Sequence, residues 1–349
     1  MKKLFQALAL LAAFVLLIAL PQAAADGVRS ALTLCGRVIL PSLFPFFVFS
    51  RIFILSGGAD LLAKKLAFVT KPLFNMSGGC IVPIILGILC GYPVGAKTAA
   101  ELYGEGVITK DEAQRLCGFC NNSGPLFLIG AVGAGMLMCP SAGILLYAVH
   151  ILSALSVGII FRGKGIDKKS IVHGSAPKNT AVNENIFVTA VEESVGTILN
   201  VFGYVIFFAV LTSFVKNPFI VGIFEITNAL KKISLLDFPL WQKFVFSAFF
   251  SSWGGLSVHM QTYGILSKYS LSLKKYVSAK FIHSVFAFVY ALIAIKIVPL
   301  PFKTFSSAFE KTAVSLNIAS LVCTVILGIY LFYLNIILLR HKNGKDEKI

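Results

Sequence analysis

Charged residues are scarce in this sequence. Asp, Glu, Lys and Arg make up only 13% of its 349 residues, whereas an average soluble domain has about 25%. The hydrophobic share is 57% and the mean hydropathy is +0.86, so the chain lacks the polar surface that a soluble domain exposes to water. These proportions exclude an ordinary soluble domain and indicate a protein that lies in a lipid bilayer.

Motifs for covalent chemistry are missing as well. The sequence contains no Walker loop, no GxSxG, no HExxH and no cluster with the spacing of metal ligands. We therefore expect that the protein is not an enzyme and that it holds no cofactor and no metal. A coupling ion, either sodium or a proton, is left open.

Acidic residues are fewer than basic ones, 15 against 31, and the net charge is +16. Such an excess is found in nucleic-acid-binding proteins, but here Lys and Arg occur in short clusters between apolar segments, as in cytoplasmic loops of membrane proteins. We expect the lipid bilayer as a partner and no nucleic acid. The seven cysteines lie mostly inside apolar runs, where packing is expected rather than a disulfide framework.

Apolar runs long enough to cross a hydrocarbon core of ~30 Å recur along the chain. The first is either an uncleaved transmembrane helix, which we favour, or a signal peptide, because a basic start precedes it and an alanine run follows. The second contains Pro41 and Pro45, which predict interruptions. The predicted spans are 4–20, 30–55, 141–161, 186–215, 281–298 and 313–339.

Several shorter segments lie between these spans. Segments 79–92 and 123–138 are apolar but too short to span, and Gly, Pro or Asn bounds each, which predicts half-helices of broken or re-entrant segments. Segments 60–70 and 109–118 are amphipathic and predict helices that lie along the membrane interface. Thr109 and Glu112 form a capping box at the start of the second one.

The order of these segments repeats after about 160 residues, as in many secondary transporters. The sequence therefore predicts an all-α polytopic integral membrane protein with two structural repeats and broken or re-entrant helical hairpins. Whether the repeats are inverted, and where the C-terminus lies, stay open. The predicted division is an N-terminal transmembrane helix (1–26), repeat 1 (27–161), a polar basic loop (162–185), repeat 2 (186–339) and a charged tail (340–349).

Helix-breaking residues stand beside polar side chains in GYPVGAKT (91–98), NNSGP (121–125) and SSWGGLSVHMQ (251–261). A half-helix N-terminus binds anions, and a nearby lysine strengthens that binding. The predicted substrate-binding residues are Gly91, Tyr92, Pro93, Gly95, Lys97, Thr98, Asn121, Asn122, Ser123, Trp253, Gly255, Ser257 and His259.

Alternatives remain for the polar residues. Lys97 either faces an anion or extends from a half-helix to the interface, and residues 121–123 either cap the next helix or bind a ligand. Glu192 and Glu193 are either functional groups inside the membrane or lie in water at the loop boundary. His259 either couples protons or is a hydrogen-bonded structural group.

Residues 91–137, GYPVGAKTAAELYGEGVITKDEAQRLCGFCNNSGPLFLIGAVGAGML, together with LPSLFPFFVFSRI (40–52), resemble a known family. They look like the nucleoside-recognition or Gate domain, and specifically like the sporulation integral membrane proteins of the YlbJ type in endospore-forming bacteria. The resemblance extends from about Leu20 to the C-terminus. More distantly, GAKT followed by RLCGFCNNS is similar to concentrative nucleoside transporters, although the carboxylate-bearing motif that grips ribose is absent and Lys97 lies nearby instead.

The YlbJ-type resemblance implies a role in sporulation, in which dipicolinic acid is moved across the outer forespore membrane by alternating access. Dipicolinate is a flat pyridine with two carboxylates, so half-helix N-termini, Lys97, an aromatic ring of Tyr92 or Trp253 and asparagine donors would suit it. The expected partners are a small-molecule anion, the bilayer and other sporulation membrane proteins. The alternatives are a carrier of nucleosides or related metabolites, or a membrane scaffold for assembly of the spore cortex or envelope.

Overall fold

A computed structural model describes residues 11, 14, 15, 17–163 and 185–298 of the protein. The predicted span 313–339, the tail and most of the first span and of the polar loop lie outside these residues. In the described ranges all regular elements are helical, which confirms the all-α fold. The helices are α1 (Pro21–Leu55), α2 (Gly58–Phe74), α3 (Ile81–Leu89), α4 (Val94–Gly104), α5 (Lys110–Cys120), α6 (Leu126–Met136), α7 (Pro140–Ile160), α8 (Ile186–Ser213), α9 (Pro218–Phe224), α10 (Ile226–Ser234), α11 (Leu240–Trp253), α12 (Gly255–Leu266) and α13 (Leu273–Ile297).

Four of these helices, α1, α7, α8 and α13, are long and apolar enough to cross a membrane. The segments Leu61–Phe74 and Gly78–Leu89 pass the same test together, but they meet at an angle of 92°. They therefore form a broken span or a re-entrant loop, as the short segment 79–92 predicted. The other predicted half-helix, 123–138, is the short helix α6, which has π-helical hydrogen bonding.

Helix α1 is continuous, so the predicted interruptions at Pro41 and Pro45 are wrong. A π-turn, Cys35–Ile39, precedes the prolines, and the N–H of Leu40 donates to the carbonyl of Cys35. Pro41 then follows in the first turn of a renewed α-helix, where its missing N–H costs no hydrogen bond. The hydrogen-bond pattern thus changes ahead of Pro41, whereas Pro45 lies inside the renewed α-helix, and the chain continues as a helix past both prolines.

The predicted interface position of segment 109–118 is also wrong, because α5 is buried in the core. Leu116 and Cys117 have no exposed surface. The polar side chains of Glu112 and Gln114 are buried and have internal partners, whereas Lys110 and Asp111 at the start of α5 are exposed. Glu112 closes the predicted capping box with Thr109 and accepts a second hydrogen bond from the N–H of Ser77, at 2.6 Å. The amphipathic pattern thus reflects internal polar contacts. The other predicted interface segment, 60–70, lies in α2 and forms part of the bent pair.

The order of helices recurs in the two halves, in agreement with the predicted duplication. Helix α3 begins at residue 81 and α11 at residue 240, a separation of 159, and α4 and α12 begin at residues 94 and 255, a separation of 161. The two halves differ after this pair of helices. The first half has α5, a break and α6, whereas the second half has the unbroken helix α13 in the corresponding place. The proposed domain boundaries themselves stay predictions.

Candidate functional site

A polar cavity of about 530 Å³ lies between α1, α4, α8 and α12. Its volume falls within the range of small-molecule sites, about 300–1,000 Å³. The lining mixes charged, aromatic and amide side chains. The lining residues are Arg51, Pro93, Lys97, Glu101, Glu193, Gly196, Thr197, Asn200, Tyr204, Gln261, Gly264, Ile265, Lys268 and Tyr269.

Four charged side chains on the cavity wall form a network of ion pairs. Arg51 approaches Glu193 at two points, with Nε 2.6 Å from Oε2 and Nη2 2.9 Å from Oε1. Lys97 Nζ lies 3.7 Å from Glu193 and 3.9 Å from Glu101, and Arg51 lies 3.8 Å from Glu101. The four charges balance, and each side chain keeps partial access to the cavity.

Lys268 adds a fifth charge, so the wall carries three cations against two carboxylates. Within the described part of the chain, Lys268 forms no ion pair. The ring of Tyr269 lies beside these charges. Partial burial, with the carboxylates of Glu101 and Glu105 nearby, raises the pKa of the Tyr269 phenol above its usual value. The phenol therefore stays protonated and can donate a hydrogen bond to an anion.

A second, smaller void of about 20 Å³ is lined by Tyr92, Ser257 and Glu225, and it is large enough for about one water. Glu225 is fully buried and caps α10, because its carboxylate accepts from the N–H groups of Thr227 at 2.9 Å and Asn228 at 2.7 Å. Gln261 lines both this void and the large cavity. Its Oε1 is buried and has no hydrogen-bond partner among the described residues.

Two glycines let backbone segments approach each other next to the void. Gly91 has φ +83°, and a Cβ there would lie 2.7 Å from the backbone nitrogen of Gly124. Gly255 has φ +74°, and its Cβ would lie 2.9 Å from the carbonyl of Phe224. Both positions need the left-handed backbone and the missing side chain of glycine. The break at 90–93 therefore packs against the break at 121–125. The break at 254–255 packs against the break at 225.

The break at 121–125 joins the two halves of the chain through buried hydrogen bonds. The amide of Asn121 donates to Thr262 Oγ1 at 3.0 Å and to the hydroxyl of Tyr276 at 2.9 Å. Ser123 Oγ donates to the carbonyl of Ser251 at 3.3 Å. Asn122 turns back and donates to the carbonyl of Phe119 at 2.8 Å. These side chains fix the break in position.

The same break contacts a buried basic cluster. Lys280 Nζ donates to the carbonyl of Asn121 at 3.0 Å and lies 2.7 Å from His283 Nδ1. His150 Nε2 accepts from the N–H of Ser123 at 3.0 Å, and the rings of His150 and His283 lie 4.7 Å apart. All of these side chains are almost completely buried.

The structure separates the predicted substrate-binding residues into several places. Pro93 and Lys97 line the large cavity, whereas Tyr92 and Ser257 line the small void. The others line neither of these cavities. They are Gly91 and Gly255 at the breaks, Gly95 against the carbonyl of Cys120, Thr98 in the core, Asn121, Asn122 and Ser123 in the buried network, and Trp253 and His259, whose rings contact each other at a tilt of 44°. Their binding roles stay predictions.

Several of the alternatives can now be compared with the structure. Residues 121–123 do not cap α6, since its N-cap is Pro125 and no side chain caps it. His259 Nε2 lies 3.0 Å from the carbonyl of Trp253, which fits a hydrogen-bonded structural group. Glu193 lines the cavity, whereas the preceding residue of α8, Glu192, is exposed.

Sequence reasoning missed the cations Arg51 and Lys268 and the buried Lys280 and His283. A signal for the last two was present, because Lys and His inside an apolar helix are costly and mark functional positions. The predicted span began at residue 281, whereas α13 begins at Leu273. That late boundary left Lys280 outside the membrane segment.

Comparisons with known proteins agree with the resemblance read from the motifs. The Gate family model, described as nucleoside recognition, matches residues 37–159. The sporulation integral membrane protein YlbJ of Bacillus subtilis (strain 168) is 31% identical to this chain, with 78% of this chain and 78% of that protein covered. No solved structure matches the chain.

Proposed function

The chain belongs to the family of the sporulation integral membrane protein YlbJ, and on that basis we propose that it carries a small organic anion, dipicolinate, across the outer forespore membrane. Transport by alternating access fits a helical membrane protein with broken helices and duplicated halves. The Gate domain over residues 37–159 contains the breaks 90–93 and 121–125 and the cavity residues Arg51, Lys97 and Glu101.

The observation that carries the proposal is the charge on the wall of the large cavity. Three cations, Arg51, Lys97 and Lys268, lie beside two carboxylates and two tyrosines in a space suited to a small molecule. A flat dicarboxylate would place its ring near Tyr204 or Tyr269 and its carboxylates near the cations. Arg and Lys are the side chains that bind carboxylates through charge-assisted hydrogen bonds.

The carboxylates of Glu101 and Glu193 have a specific role in this proposal. They neutralise Lys97 and Arg51 when no substrate is bound, so the empty cavity does not hold unpaired cations. A bound dicarboxylate competes with them for the same cations. The ion pairs form again when the substrate leaves, which lets the empty carrier return.

Dipicolinate counterflow into proteoliposomes tests the proposal. The protein is compared with Lys97→Ala and with Lys274→Ala, a control at an exposed lysine of α13. We expect saturable exchange in the wild type and the control, and its loss in Lys97→Ala at equal abundance and equal thermal stability. Equal exchange in Lys97→Ala, or no exchange in folded wild-type protein, would contradict an anion carrier and favour a scaffold.

Nucleosides are the second candidate substrate class, favoured by the description of the matched family model as nucleoside recognition. The cavity also presents neutral hydrogen-bonding groups, Thr197, Asn200 and Gln261, that suit sugar hydroxyls and bases. The same exchange assay separates the two classes. If the cavity binds nucleosides, excess uridine or adenosine would inhibit the exchange. If it binds only anions, excess uridine or adenosine would leave dipicolinate exchange unchanged.

A further inference from the structure

Lys280 is a buried cation without a carboxylate partner in the described structure. Only 2% of the residue is exposed, and Nζ contacts the carbonyl of Asn121 at 3.0 Å and Nδ1 of His283 at 2.7 Å. An ammonium that is removed from water without a counter-charge loses much of its hydration free energy. A group kept at such a cost, inside an apolar helix, is a functional group by default.

Within the described residues, the side chains that interact with Lys280 come from α13 and from helices packed against it. Helix α5 presents Cys120, α7 presents His150, α12 presents His259 and α13 itself adds His283. The hydroxyls of Ser252 and Tyr276 bond to His150 and to Asn121. None of these side chains carries a negative charge at neutral pH. The environment therefore offers dipoles to the ammonium, and no anion.

The favourable dipole is the C-terminal end of α5. This helix ends at Cys120, and the carbonyl of Asn121 that follows accepts the hydrogen bond from Lys280. The C-terminus of a helix carries a partial negative charge, which favours a cation. In secondary transporters, such half-helix ends and unwound carbonyls hold the coupling ion. The ammonium of Lys280 thus occupies the kind of position where a free coupling cation would bind.

His283 makes the charge at this position exchangeable. At 2.7 Å, one proton lies between Lys280 Nζ and His283 Nδ1, and either nitrogen can hold it. His283 Nε2 lies 3.0 Å from the carbonyl of His150 and donates its proton there. The pair can therefore carry one positive charge when protonated and become neutral after it loses that proton, with no change in its other hydrogen bonds.

His150 connects this pair to the break at 121–125. Its Nε2 accepts from the N–H of Ser123, and its Nδ1 lies 2.9 Å from Ser252 Oγ, near the end of α11. The accepting Nε2 holds the ring in the neutral form with the proton on Nδ1. Gain or loss of charge at Lys280 would thus act directly on the carbonyl of Asn121 and on the ring beside the N–H of Ser123.

We propose that Lys280 and His283 hold one exchangeable proton at the C-terminal end of α5, and that this proton is the coupling ion of the carrier. The inference rests on the transport function proposed above. Proton binding from one side of the membrane charges the pair and tightens the hydrogen bond to the break at 121–125. Proton release to the other side breaks one N–H bond, leaves its electron pair on nitrogen and loosens the hydrogen bond to the break.

The experiment compares two kinds of flux in proteoliposomes, using the wild type, Lys280→Met, His283→Gln and the exposed control Lys274→Met. Counterflow without an imposed gradient reports substrate binding and translocation alone. Accumulation under a proton or a sodium gradient reports coupling. We expect all four proteins to exchange dipicolinate, with proton-driven accumulation about tenfold or more lower in Lys280→Met and His283→Gln.

Other results would overturn the inference. Proton-driven accumulation in Lys280→Met equal to that of the wild type would do so, as would wild-type accumulation that follows sodium and ignores the proton gradient. If Lys280→Met does not fold, the test rests on proton-driven accumulation in His283→Gln. This variant keeps the ammonium of Lys280 and removes the nitrogen with which it exchanges the proton.

A further measurement keeps the inference testable if the wild type shows no counterflow, which would be a failure of the proposed function. The thermal unfolding midpoints of the wild type and His283→Gln are compared in detergent between about pH 5 and pH 8, where histidine titrates. A difference between the two midpoints that changes with pH supports an exchangeable proton. A difference that is constant across this range overturns it.

Discussion

Arg51 and Glu193 are 142 residues apart in the chain and form a two-point ion pair, with contacts of 2.6 and 2.9 Å. Arg51 belongs to α1 and Glu193 to α8, so the pair links the two halves of the protein at the wall of the large cavity. Their side chains are 22% and 34% exposed, which leaves the pair accessible to a ligand. The contact is therefore suited to open and close with substrate binding.

Removal of one partner of this pair is expected to destabilise the protein and slow exchange. Arg51→Gln should lower the free energy of unfolding by about 1–2 kcal/mol, because a charge-assisted hydrogen bond is lost in a partly buried site. The unfolding midpoint in detergent and the counterflow rate measure both effects. The reversed pair, Arg51→Glu with Glu193→Arg, should recover part of the stability. A reversed pair no more stable than Glu193→Arg alone would show that the contact contributes nothing.

Glu101→Gln is expected to strengthen anion binding. Glu101 pairs with Lys97 and Arg51, so in the proposed carrier it competes with a bound carboxylate for these cations. The neutral amide leaves the cavity more positive. We expect dipicolinate affinity to rise by about tenfold, which corresponds to about 1.4 kcal/mol. Isothermal titration of the purified protein measures it. Glu192→Gln is the matched control, since its side chain is exposed and does not line the cavity. An unchanged affinity in Glu101→Gln would place the anion elsewhere.

Gly91→Ala is expected to be far more harmful than Gly57→Ala. Both glycines have positive φ, +83° and +79°, so both substitutions incur backbone strain of about 1–2 kcal/mol. No atom lies within 4 Å of the Cβ position at Gly57, whereas that of Gly91 meets the backbone of Gly124. Overpacking should add about 1–3 kcal/mol at Gly91 alone. Unfolding midpoints of the two variants give this difference, and equal midpoints would contradict the close packing of the two breaks.

Asn121→Ala is expected to lower stability even without substrate. The substitution leaves the hydroxyls of Thr262 and Tyr276 without their buried donor, at a cost of about 1–3 kcal/mol. A double-mutant cycle with Tyr276→Phe isolates the contact between the halves, and we expect a coupling of about 0.5–3 kcal/mol. Additive effects of the two substitutions would mean that the hydrogen bond does not hold the halves together.

Much of the fold could be predicted from the sequence. Long apolar runs became α7 and α8 with boundaries shifted by one or two residues at most, because a membrane span is determined by length and hydropathy alone. Breaks were also predictable, since glycine and proline change the backbone locally. Pro41 and Pro45 show the limit of such reasoning, because the helix continues past both of them, after a π-turn at Cys35–Ile39.

The candidate site was predictable only in part. Lys97 stood out because it follows a helix break, and the structure does place it on the cavity wall. Arg51 did not stand out, because its partner Glu193 is distant in sequence and lies in the other half. Helix α5 shows the same limit, since its polar side chains resembled those of an interface helix. These side chains bond to residues outside the helix, and one of those partners, the backbone of Ser272 bonded to Gln114, lies 158 residues away.

The sequence by itself determined that the protein is a helical membrane protein, that helices break at the glycine-containing segments 90–93, 121–125 and 254–255, and to which family it belongs. These properties depend on composition, on local backbone chemistry and on motifs that are contiguous in the chain. Only the tertiary structure decided which charges share a cavity and which are buried together. Lys97 is balanced by Glu101 and Glu193, while Lys280 faces only carbonyls, hydroxyls, thiols and imidazoles. The free energy of a charge depends on its neighbours in space, and those neighbours come from helices far apart in the sequence.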